Sequence, residues 1–138
     1  RENDAKEFTH KNGMHDIARF VGWVEGAQLE ELLHNSDILV LPSWAEGFPN
    51  AVIEAMASGL AVVVTSVGNV PDILTHESEA LLVTPRNKAS LINAISRLID
   101  DENLRHSIAL QGHKFSAKNF SVEKAAAKLE KLIYSVID

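Results

Sequence analysis

The chain contains no cysteine, so neither a disulfide framework nor a thiolate metal site is open to it. It has no apolar run of about twenty residues and no charged-then-apolar leader, so no segment reads as a membrane span or an export signal. No two of its six histidines make a His-Glu-x-x-His or comparable ligand pattern, and no metal is expected. Positive charge is short: 13 Lys and Arg against 19 Asp and Glu leave a net charge of −6. Nucleic-acid binding needs a basic footprint and is therefore not expected. What these absences leave is a soluble protein of a reducing compartment, with a cytoplasmic location as the expectation.

The shortage of cations is sharpest in the middle of the chain. Between Arg19 and Arg86 there is no lysine or arginine, whereas Glu25, Glu30, Glu31, Asp37, Glu46, Glu54, Asp72, Glu77 and Glu79 all fall in that interval. Ionised carboxylates accept strong hydrogen bonds, so a loop here suits a ligand rich in hydroxyl groups. It does not suit a diphosphate unless cations arrive from elsewhere.

A chain of 138 residues can bury roughly 68% of its unfolded surface in one domain. With no internal repeat, low-complexity tract or long linker, residues 1–138 read as a single domain. Polar residues from Asp4 to Asn12 predict a short helix stopped by Gly13. Strands are predicted at Ile17–Gly22, Ile38–Leu41, Ala61–Thr65 and Ala80–Thr84, the third so uniformly β-branched that both its faces should be buried. Helices are predicted at Gln28–Leu33, Asn50–Gly59, Val70–Leu74, Ser90–Ile99, Asp101–Lys118 and Ser121–Val136. Strands alternating with helices predict an α/β fold, a Rossmann-like parallel sheet with flanking helices.

The most informative stretch is Leu41-Pro42-Ser43-Trp44-Ala45-Glu46-Gly47-Phe48-Pro49-Asn50-Ala51-Val52-Ile53-Glu54. It spans the junction where a predicted strand gives way to a helix, and ligands of parallel α/β sheets collect beyond the carboxyl ends of strands. Glu46 is a candidate in the loop. Gly47 permits close backbone approach to a ligand. Pro49, Asn50 and Ala51 open the helix, whose free N–H groups and dipole favour an anion. Glu54 follows in what the pattern makes the first helical turn.

This stretch resembles the paired-glutamate signature of retaining glycosyltransferases with the GT-B fold, in particular glycosyltransferase family 4 (group 1). The likeness extends from about Ile17 to the C-terminus and corresponds to the later part of a GT-B C-terminal domain. The family's first strand and helix of that domain have no counterpart, so an N-terminally truncated domain is the expectation. The resemblance implies that Glu46 orients the donor sugar and is the catalytic candidate. It implies that Gly47 and Phe48 offer backbone N–H groups to sugar hydroxyls, and that the helix opened by Pro49, Asn50 and Ala51 meets the diphosphate. Glu54 would take the ribose hydroxyls. The partners implied are a UDP- or GDP-sugar donor and a glycan or lipid-linked acceptor held by an absent N-terminal domain. Peripheral membrane association of the parent protein is implied as well; no cofactor is. On this reading the chain alone is inactive and binds nucleotide-sugar poorly, its diphosphate cations lying upstream or, failing that, at Arg86 or Lys88.

Two further matches carry departures. Arg19-Phe20-Val21-Gly22-Trp23 resembles the family's Arg-Phe-x-Gly strand end, where Trp23 would serve either the nucleobase or the core. Val67-Gly68-Asn69-Val70-Pro71-Asp72 resembles Gly-Gly-x-Pro-Glu, with Asn69, which tolerates a left-handed conformation, for the second Gly and Asp72 for Glu. His76-Glu77-Ser78-Glu79-Ala80 replaces a Gly-rich approach to the last strand. The alternatives are a non-catalytic α/β interaction module and a nucleotide-sugar epimerase of the same fold. A phosphoacceptor receiver would need clustered strand-end aspartates, and these are missing.

Overall fold

The computed structural model describes residues 2–121, which fall into two compact units, one through Leu32 and one from Leu33. In the first, α1 (Glu2–Lys11) ends as expected at Gly13, whose N–H donates to the His10 carbonyl while the Met14 N–H reaches back to Thr9. The strand predicted at Ile17–Gly22 does not form. The N–H groups of Ile17 and Ala18 both donate to the Met14 carbonyl (3.2 and 3.0 Å), so the backbone donors that would start a ladder are spent in a turn. Ile17 is 81% exposed, and a short apolar run is not by itself a strand. Trp23 stands free of any core at 88% exposure, its indole N–H donating to Glu25 (3.2 Å). Next in the chain comes α2 (Ala27–His34).

The second unit is a three-stranded parallel sheet in the order β1 (Ile38–Leu41), β2 (Ala61–Thr65), β3 (Leu81–Val83). Register pairs Ile38 with Ala61 and Val63 with Leu81. The connections are α3 (Asn50–Ala57) and the single turn α4 (Val70–Ile73); α5 (Lys88–Asp100) and α6 (Glu102–Asn119) follow the last strand. The helix predicted at Ser121–Val136 lies outside the described residues apart from its first position.

Every residue of β2 is buried, as its β-branched run requires, and its alternate side chains enter two separate cores. Val62 and Val64 pack with Val52, Ala55 and Met56 of α3 and with Val70 of α4. Ala61 and Val63 pack with Ala94 and Leu98 of α5 and Ile108 of α6. The result is helix–sheet–helix layering. Gly59 (φ +80°) closes α3: its N–H donates to Met56 and that of Leu60 to Ala55, the paired bonds of a left-handed helix stop. At the start of α5 the Asn87 side chain accepts the Ser90 N–H (3.0 Å).

Candidate donor site at the carboxyl edge of the sheet

β1 delivers the chain to the carboxyl edge of the sheet, and the loop from Pro42 to Pro49 runs there before α3 begins. This loop is fixed by its neighbour across the edge, the turn that follows β2. Gly68 has φ +55°, and a Cβ placed on it would lie 1.8 Å from the Glu46 carbonyl oxygen and 2.7 Å from that of Gly47. Only a residue without a side chain lets the two backbones meet this closely. One residue on, the Asn69 N–H donates to the Gly47 carbonyl at 2.9 Å. Asn69 itself has φ −84°, so the left-handed tolerance expected of it is not used; its backbone donor is.

The Glu46 side chain is exposed and accepts a hydrogen bond from the Ser43 hydroxyl at 2.9 Å. Gly47 is exposed. Phe48 turns its ring the other way, stacking on Phe120 (5.5 Å between centroids), which in turn meets Phe115 edge-on. Its backbone therefore remains at the edge while its ring anchors the loop. Pro49 is buried and stands at the N-cap of α3 with no side-chain cap for the helix's open N–H groups. Asn50 is exposed and Ala51 half-buried.

Glu54 departs from expectation in one respect. It is the fifth residue of α3, and no acidic residue occupies the first turn. A helix dipole acts mainly on the first turn, so it gives Glu54 little reason to be acidic. Its carboxylate is exposed about 6 Å along the helix from Asn50.

Beside this loop the ends of β1, β2 and β3 enclose a pocket of about 230 Å³. Pro42, Thr65 and Thr84 come from the strand ends, and Trp44, Arg86 and Lys88 add an indole and two cations to the lining. The Arg86 guanidinium lies 5.0 Å from the centre of the Trp44 ring, whose residue is 74% exposed. Arg86 holds φ +58°, a conformation that costs a residue with a Cβ about 1–2 kcal/mol. Sequence reading named Arg86 and Lys88 as cations but had no signal that would join them to Trp44; only strand-end adjacency does so.

The departing loop at His76–Ala80 lies before β3, at the amino edge, away from these groups. It is braced by its own side chains. Glu79 accepts the Thr75 N–H (2.8 Å), the His76 Nδ1 accepts the Leu82 N–H (3.0 Å), and Glu77 pairs with Arg97. The hydrogen bond and charge of Arg97 hold the Glu77 carboxyl below its ordinary range.

Residues 1–101 match the family described as glycosyl transferases group 1. The chain belongs to that family. An uncharacterised glycosyltransferase of Methanocaldococcus jannaschii is 31% identical over 121 residues, 88% of this chain and 31% of that protein. Among solved structures, the C-terminal domain of a group 1 family glycosyl transferase (LpcC) from Francisella tularensis superposes with a TM-score of 0.80 at 26% identity, covering 88% of this chain and 63% of that one. Anabaena HepE, solved in complex with UDP-glucose, shares the fold with a TM-score of 0.85 at 22% identity, covering 96% of this chain and 36% of HepE. Sheet and helices are thus those of a GT-B C-terminal domain. The chain spans well under half the length of the curated relatives it matches.

Proposed function

We propose that this chain supplies the donor site of a retaining family 4 hexosyltransferase, one that moves a sugar from a nucleotide-sugar to a glycan or lipid-linked acceptor. The observation that carries this reading is the clamped Glu46–Gly47 peptide at the carboxyl edge, in a chain of the group 1 family. A carboxylate that must orient a sugar needs a rigid mount, and Gly68 and Asn69 provide it from the neighbouring turn. The complex of the similarly folded HepE with UDP-glucose supports a nucleotide-sugar as the donor class.

On this proposal Glu46 positions the donor sugar, with the backbone N–H groups of Gly47 and Phe48 on its hydroxyls. Glu54 takes the ribose diol from its helical mount. The open start of α3 at Pro49, Asn50 and Ala51 receives the diphosphate. The nucleotide leaves from the face at which the acceptor enters, and preorganised groups stabilise the charge developing on the sugar. No metal enters the scheme.

Steady-state kinetics of the full-length enzyme test the division of labour. Glu54→Ala is expected to raise KM for the donor, since the carboxylate–diol contact forms in the ground state. Glu46→Ala is expected to lower kcat by about a hundredfold or more, since the sugar carries the developing charge. Full kcat in the Glu46 variant would remove that residue from the catalytic role.

A further inference from the structure

We infer that the pocket between Trp44, Arg86 and Lys88 is a binding site for a phosphate-bearing ligand, separate from the two carboxylates of the donor loop. Four observations converge on it. The cavity is lined by two cations and by no carboxylate, in a chain whose net charge is −6. Neither Arg86 nor Lys88 makes an ion pair among the described residues, although acidic residues outnumber basic ones. Arg86 is held in a left-handed conformation where glycine or asparagine would fit without strain. Backbone strain of that kind is kept where a side chain has a task to perform. The guanidinium lies over Trp44, an exposed indole whose free surface offers a sugar or other flat face an apolar platform.

The chemistry selects the ligand. A guanidinium presents a planar fork of donors that matches two phosphate oxygens, and an ammonium adds a point charge. Thr84 also lines the pocket wall, whereas the Thr65 hydroxyl is already given to the Leu41 carbonyl (3.4 Å). Two sources share this chemistry: the diphosphate of a nucleotide-sugar, which the pocket would then share with the open start of α3, and the phosphate of a phosphorylated sugar acceptor. In either case the cations come from within the chain.

Titration of the 138-residue chain with inorganic pyrophosphate, followed by amide chemical shifts and calorimetry, tests the site. Saturable binding is expected, with the largest shifts at residues 84–91 and the Trp44 indole, and with affinity falling as salt is added. Arg86→Gly suits the backbone and so preserves the fold; it and Lys88→Gln should each weaken binding about tenfold or more. Lys114→Gln, a cation outside the pocket, should leave affinity unchanged. Parallel titrations separate the sources. Loss of UDP affinity in Arg86→Gly identifies the donor's diphosphate; loss of glucose 6-phosphate affinity with UDP binding intact identifies a phosphorylated acceptor. Absence of saturable shifts at residues 84–91, or wild-type affinity in both pocket variants, would overturn the inference. Neither outcome bears on Glu46 or Glu54, whose roles are read from donor kinetics.

Discussion

Gly68 is the residue on which the Glu46–Gly47 loop rests. Its substitution by alanine brings a Cβ against the Glu46 and Gly47 carbonyls and adds the strain of φ +55°. We expect Gly68→Ala to cost about 2–5 kcal/mol in denaturant unfolding, from overpacking and strain together. Gly26 is the natural control. It has the same φ, but nothing lies within 4 Å of its would-be Cβ, so Gly26→Ala should show the strain alone. Equal losses in the two variants would mean that the close backbone approach is not a constraint. Much at this scale is hidden from a linear reading. The Gly-Phe-Pro-Asn stretch announces itself because its residues are consecutive. That Gly68 touches Glu46 follows from a parallel pairing that joins positions more than twenty apart. The left-handed backbones of Arg86 and Glu77 have no sequence signature, since neither residue is a usual occupant of that conformation.

Elements were legible where burial is uniform or a stop is explicit. The runs at Ile38–Leu41 and Ala61–Thr65 are strands with the expected limits, and Gly59 ends α3 as anticipated. Ile17–Gly22 misled because a strand is defined by its ladder, and an apolar run shows only that burial would be favourable. The connection between α4 and β3 allows a test of local electrostatics. Arg97 lowers the pKa of Glu77 by its hydrogen bond and charge, so the folded value lies below the ordinary 4.5. A depressed carboxylate stabilises the fold above the unfolded pKa and loses that contribution as pH falls through the folded one. The urea midpoint of the wild type should therefore exceed that of Glu77→Gln at pH 7, and the gap should close below about pH 4.5. Added salt should narrow it at neutral pH, since the pair is solvent-accessible. A gap unchanged at pH 3 would show that the Arg97 pair is not its source.

For the whole molecule, net charge understated what the fold accomplishes. A chain with 19 acids and 13 bases sets its Arg86–Lys88 segment beside Trp44 at one cavity by bringing strand ends together. The sequence could show the cation-free interval but not which cations border it in space. The same assembly encloses β2 on both faces and pairs it along both edges. Its central amides have no route to solvent short of opening the whole unit, so Val62, Val63 and Val64 should be among the slowest in the chain to exchange with deuterium. A ligand that binds only the folded unit slows that exchange in proportion to 1 + [L]/Kd, whichever edge residue it touches. The interior strand thus becomes a built-in gauge of occupancy. Exchange at Val63 measured against added UDP would return an affinity without a reporter in the site, and an unchanged rate at saturating shifts elsewhere would show that β2 opens by a smaller, local route.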